Sequence, residues 1–126
     1  MVMRSSKARV QRKRKYNAPV HVKSKAVASH LSTELREKYG VRSARVCRGD
    51  TVVIIRGNED VRGTEAKVVE VLTDKGCVII DGVTVNQADG TAVARPVHAS
   101  NLVITKLDLT DEWRADSLSK HKEAKQ

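Results

Sequence analysis

Phenylalanine is absent from the 126 residues, and Tyr16, Tyr39 and Trp113 are the whole aromatic complement. A core must therefore be assembled from Val, Ile, Leu and Ala, and few rings are left on which nucleic-acid bases could stack. Cysteine is equally sparse. Cys47 and Cys77 stand thirty positions apart, which excludes a disulfide framework and the closely spaced ligand pairs of a zinc site. No apolar run approaches the roughly 20 residues of a membrane-spanning helix. The opening MVMRSSKARVQRKRK also lacks the apolar segment of a secretory leader. The expectation is a soluble, intracellular chain without membrane insertion.

Carboxylates are missing where cations are dense. Residues 1–48 hold 14 Lys/Arg against 2 Asp/Glu, residues 49–109 hold 6 against 9, and residues 110–126 hold 4 of each. Almost all of the net charge of +9 thus sits in the first third. Such a block needs a polyanion, nucleic acid before an anionic membrane surface.

What is present is β-forming. The stretch Arg48 to Leu72 carries two apolar runs, Thr51 to Ile55 and Ala66 to Leu72, around a polar loop with Gly57 and Gly63 near its ends. This pattern predicts strand, loop, strand. Both faces of Val52 to Ile55 are apolar, so an outer cover is expected, with the N-terminal helices as the available material. Further strands are expected at Cys77 to Ile80 and Leu102 to Ile104, with Asp81-Gly82 as a break, and Val83 to Asn86 and Thr91 to Val97 flank Gln87 to Gly90 as the arms of a hairpin. About five strands in some sixty residues suit a compact antiparallel barrel. One domain is expected, divided into a basic extension over 1–48, the barrel over 49–107 with a projecting hairpin over 83–97, and a tail over 108–126.

Residues 1–15, with Arg4, Lys7, Arg9, Arg12, Lys13, Arg14 and Lys15, read as an arm that is disordered when free. A solvated or targeting tail is the plainer role, and the density of Arg favours phosphate contact. Asn17-Ala18-Pro19 reads as the start of a short basic helix to about Ser29, carrying His21 and Lys25 on one face with Lys23 nearby, and an apolar stripe of Val20, Val27 and Leu31. Ser32 is expected to cap a second helix, TELREKY, ended by Gly40. Val41 to Arg48 reads as a basic connector with Arg42, Arg45 and Arg48. His98 to Asn101 reads as a turn in which Ser100 and Asn101 bond to nearby backbone. The tail should form one helical segment around Trp113 and fray beyond Leu118.

Catalytic constellations are lacking. His21, His30, His98 and His121 are scattered, Glu59-Asp60 is a solvated pair, and neither GxxxxGK nor GxGxxG occurs. No enzyme, cofactor or metal is therefore expected. Binding remains, with lysines and arginines threading between phosphates of RNA.

Gly49-Asp50-x-Val52-x-Ile54, Arg56-Gly57, Arg62-Gly63 and Lys67-Val68 resemble the KOW motif of an SH3-like barrel. The flanks Tyr16-Asn17-Ala18-Pro19-x-His21, His30-Leu31-Ser32-x-Glu34-Leu35-Arg36-x-Lys38-Tyr39, Arg42-Ser43, Ala88-Asp89-Gly90-Thr91 and His98-x-Ser100-Asn101 resemble the archaeal and eukaryotic form of large-subunit ribosomal protein twenty-four, called twenty-six in eukaryotes. The short tail favours the archaeal form. Ala66 stands where that family commonly has glycine, and Asn58 to Asp60 is more acidic than its usual loop. The resemblance implies a mainly β protein, a small SH3-like antiparallel barrel with a basic arm and short flanking helices. It would be a structural constituent of the cytoplasmic large ribosomal subunit, binding the 5′ region of large-subunit rRNA early in assembly and lying near the peptide tunnel exit. Partners would be that rRNA, neighbouring large-subunit proteins and nascent-chain or tunnel-exit factors. It further implies RNA contacts at Tyr16, Asn17, His21, His30, Arg36, Arg42, Ser43, Arg45 and Arg48, at the base of the acidic loop through Arg56, Arg62 and Lys67, and at His98, Ser100 and Asn101. A KOW-containing transcription or translation factor acting transiently is the alternative, and an enzyme a distant third.

Overall fold

The computed structural model describes residues 5–124. Among these residues four α-helices flank a seven-stranded sheet: α1 (Ala8–Tyr16), α2 (Val20–Ala26), β1 (Ala28–Leu31), α3 (Thr33–Tyr39), β2 (Ser43–Arg45), β3 (Thr51–Ile54), β4 (Glu65–Leu72), β5 (Cys77–Asn86), β6 (Ala92–His98), β7 (Leu102–Lys106) and α4 (Glu112–Ala124). The strand order is β2-β1-β7-β3-β4-β5-β6. Its two ends are not paired with each other, so the sheet is not closed into a barrel. It is also mixed rather than antiparallel throughout, because β1 runs parallel to β7 with His30 opposite Val103 and Leu31 opposite Ile104.

The expected pairing of the glycine-marked stretch is present. Val52 lies opposite Ala66 on β4 and Ile104 on β7. Ala66 is half-buried against the core, so its methyl group is accommodated on the strand. Two devices bend the β4–β5 pair and its neighbour. Val69 is the extra residue where β4 shifts register between Val68 and Glu70. In β5, residues 80–83 stand opposite one residue of β6. Asp81-Gly82 therefore bulges the strand instead of ending it, which merges the two expected strands into one. Pro96 is tolerated because β6 is the edge of the sheet.

Two strands were not expected. β1 and β2 are four and three residues long, and they exist because β7 offers β1 a free edge and β2 closes on β1 with Ser29 opposite Ala44. Val27 and Leu31 are accordingly buried core residues rather than part of a helical stripe, and Val20 is exposed. The cover expected for β3 is likewise different: Val53 is half-buried and Ile55 exposed, while α2 lies against β2 and α3 against β1.

The core is aliphatic, as the composition requires. Val52, Ile54, Val78, Leu102 and Ile104 are fully enclosed, and no aromatic ring belongs to the buried cluster. α3 forms over the expected residues, with Ser32 at its N-cap and Gly40 in the left-handed region at its C-cap (φ 67°). The Ser32 side chain makes no capping bond there.

At the termini the helices exceed expectation. α1 is regular over most of the arm, since Ala, Gln, Lys and Arg are good helix formers, although it buries no residue. Asn17 closes α1 as its C-cap, donating its N–H to the Lys13 carbonyl, and Pro19 rather than Asn17 is the N-cap of α2. α4 continues past Leu118 to Ala124 and buries Leu118.

Candidate nucleic-acid interface

α1 and α2 carry seven lysines and arginines and no carboxylate. Arg9, Arg12, Lys13, Arg14 and Lys15 are exposed on α1, and Lys25 and His21 on α2. Lys13, Arg14 and Lys15 lie in the last turn of α1, where cations complement the negative end of the helix dipole. Lys7 is the exposed N-cap. Arg4 lies outside the described residues.

Between the two helices, the β4–β5 turn and the end of β6 is a cleft of about 610 Å³. It brings together Arg14, Lys15, Tyr16, Lys23 and His98 from the expected contacts, and adds Lys75, which the sequence did not single out. Lys23 Nζ lies 3.4 Å from Asp74 Oδ1. This partly exposed pair joins α2 to the turn and is worth at most about 1 kcal/mol. Asn17 is exposed beside a second shallow groove, which also touches Lys13 and Pro19.

His98, which lines the cleft, is held by the His98–Asn101 turn. His98 Nδ1 accepts the Ser100 N–H at 3.2 Å and lies 2.8 Å from Ser100 Oγ. Acceptance at Nδ1 leaves the proton of the neutral ring on Nε2. The buried Ser29 donates its hydroxyl to the Ala99 carbonyl at 2.6 Å, Ala99 donates its N–H to the Gly76 carbonyl at 3.2 Å, and Ile55 donates to the Asn101 carbonyl at 2.9 Å. The turn is thus structural, as its chemistry suggested. The difference is that the His98 ring supplies the cap, and Ser100 bonds to that ring.

Other expected contacts lie elsewhere on the surface. Arg42, Ser43, Arg45 and Arg48 are exposed on and around β2, and Arg36 on α3. A second cleft of about 490 Å³ includes Ser43, Arg45, Trp113 and His121. His30 is half-buried in β1, and its Nδ1 is enclosed without a hydrogen-bond partner. Arg56 and Arg62 are exposed on the loop between β3 and β4, and Lys67 is exposed on β4. Glu59 and Asp60 are solvated at the tip of that loop, which the Asn58 carbonyl tightens by accepting the Arg62 N–H at 2.9 Å.

One structural relationship had no counterpart in the sequence expectations. Asp50 is wholly buried, and its carboxylate receives Arg114 Nη1 and Nη2 at 2.6 Å each, the Cys47 N–H at 3.0 Å and the Asp108 N–H at 2.9 Å. Arg114 also donates to the carbonyls of Asp108 and Arg45, both at 2.9 Å. Burial pulls the Arg114 guanidinium down, but its bonds and attraction to Asp50 outweigh that and hold it above its ordinary range. The network fastens α4 to the entry of β3 and to the Arg45 end of β2. Its only local signal was the Gly49-Asp50 turn, since the partner lies in the tail.

Among the described residues, no helix is long and apolar enough to cross a membrane, and no group of three or more His, Cys, Asp or Glu is placed to hold a metal ion.

The sequence profile of the family described as ribosomal proteins, L26 in eukaryotes with their archaeal counterparts, matches residues 5–121. The Methanosarcina barkeri protein named "Large ribosomal subunit protein uL24" is 49% identical over 118 residues, which is 94% of this chain and 100% of that relative. Its namesake from Methanocella arvoryzae is 49% identical over 120 residues, 95% of each chain. That of Sulfurisphaera tokodaii is 42% identical over 124 residues, 98% of this chain and 90% of the relative. With nearly its whole length matched by that profile and by these archaeal relatives, the chain belongs to the ribosomal protein family that comprises eukaryotic L26 and archaeal uL24.

Proposed function

We propose that this chain is a structural constituent of the large ribosomal subunit, that it binds the 5′ region of large-subunit rRNA during early assembly, and that it lies near the peptide tunnel exit. The observation that carries the reading is the pair α1 and α2, seven cations without a carboxylate, mounted on a sheet whose own strands bear few charges of one sign. Two such helices repel themselves and gain stability from a polyanion. Membership of a ribosomal protein family agrees with that partner.

In this reading β3, β4, β5, β6 and β7 make an SH3-like unit built on the KOW motif, with 1–48 as a basic extension and 108–126 as a tail. RNA contacts are assigned to the exposed cations of α1 and α2, to Arg36, Arg42, Arg45 and Arg48, to Arg56, Arg62 and Lys67 below the acidic loop tip, and to the polar groups of Tyr16, Asn17, His21, His30, Ser43, His98, Ser100 and Asn101. The role is non-enzymatic and exercised in the cytoplasmic ribosome. Neighbouring large-subunit proteins are partners, and the exposed end of the β5–β6 hairpin is the part that meets nascent chains or tunnel-exit factors.

Purified large subunits washed in high salt test this. An integral constituent stays with the particle after the wash. Complete release into the supernatant would instead identify a transient KOW-type factor.

A further inference from the structure

The cleft beneath α1 has two kinds of wall. Tyr16, Ala18, Val22 and Ala26 present apolar surface, and Tyr16 is 69% exposed. Lys15, Lys23 and Lys75 stand around the rim, opposed by the single carboxylate Asp74. The His98 ring, fixed through Nδ1 by Ser100, directs its other nitrogen to the Gly76 side of the cleft. A volume of about 610 Å³ falls within the range of small-ligand sites.

We propose that this cleft takes up one unpaired nucleotide of the bound rRNA, its base against Tyr16, Ala18 and Val22 and its phosphate between Lys15, Lys23 and Lys75. The inference rests on the rRNA reading above and specifies one site within it. An aromatic face accepts any base, and rim cations on a positively charged helix pair favour the adjoining phosphate. An acidic peptide would use the cations and leave the ring and the apolar wall uncovered. A duplex would meet the helices from outside and leave the cleft empty, because its bases are stacked and paired. His98 Nε2 then supplies a donor for an acceptor edge of the base. Only one such site is implied, consistent with a chain holding three aromatic residues.

The test uses the full chain and a transcript of the 5′ domain of large-subunit rRNA, with two readouts: affinity across a salt series, and chemical probing of Watson–Crick edges. Tyr16→Ala is expected to weaken binding about tenfold, the loss of one base–aromatic stack, without changing the salt slope. Tyr16→Phe should restore it. One unpaired base should be protected by the wild-type chain and by Tyr16→Phe, and exposed again by Tyr16→Ala. Ala18→Leu, which narrows the cleft and keeps the Tyr16 ring, should expose the same base. If the wild-type chain binds with its full salt slope while Tyr16→Ala leaves affinity and footprint unchanged, the cleft holds no nucleotide and the rRNA reading survives. A loss of affinity without a change at any base would also overturn the proposal, since the contact would then be to backbone or to protein. Absence of binding by the wild-type chain would overturn both readings.

Discussion

Asp50 and Arg114, 64 positions apart, meet in a two-pronged ion pair with both N–O distances at 2.6 Å. Asp50 is the first residue of the β3 entry that is fully enclosed, and Arg114 lies near the start of α4. The tail is thereby part of the folded unit. Removing one member of a buried pair leaves the other charged and desolvated, at a cost of about 3–5 kcal/mol. Arg114→Met is therefore expected to lower the free energy of urea unfolding by that amount. Asp50→Asn combined with Arg114→Met should cost less than the sum of the two single substitutions. Strict additivity would show that the two groups do not act as a pair.

Gly49 stands next to that pair at φ +96°, and a Cβ there would lie 2.5 Å from Asp108 Oδ2. Gly63, at φ +88°, has nothing within 4 Å of the corresponding position. Gly49→Ala is expected to cost about 2–3 kcal/mol, combining backbone strain with displacement of Asp108. Gly63→Ala should cost about 1 kcal/mol, the backbone penalty alone. Urea midpoints at constant m-value separate the two, and equal losses would contradict the crowding at Gly49.

Burial pushes the Cys47 thiol above its ordinary 9.0, with the Arg114 charge offsetting only part of the rise. A raised pKa means that the folded chain holds this proton more tightly than the unfolded one. Its contribution is present below pH 9.0 and is lost as pH climbs from there through the folded value, where the unfolded chain has already ionised. Cys47→Ala is expected to flatten the fall of unfolding free energy on the alkaline side of pH 9.0. An identical alkaline slope in the variant would contradict this.

Much of the architecture was legible because it is local. The aliphatic core follows from the missing rings, α3 from Ser32 and Gly40 at its ends, and the hairpin from Asp89-Gly90, whose turn the Gln87 N–H closes onto the Thr91 carbonyl at 2.8 Å. What escaped depends on partners distant in sequence. β1 and β2 are too short to announce themselves and exist through β7. Arg114 has no local reason to be buried. The order in α1 was underestimated because its cations argue for repulsion while its residue types favour helix, and in the structure propensity prevails. The site was half legible: the sequence marked the cations, but only the packing of α2 beside the β4–β5 turn gathers Lys23, Lys75 and His98 around Tyr16.

Binding of rRNA phosphates by the carboxylate-free helices is read out by the salt dependence of affinity. Arg9, Arg12, Lys13 and Lys15 are exposed on α1, and replacing all four with Gln should remove about four phosphate contacts. The slope of log affinity against log salt for the rRNA transcript should then become shallower by roughly 3, with weaker binding at low salt. A quadruple variant with wild-type affinity and an unchanged slope would contradict the account.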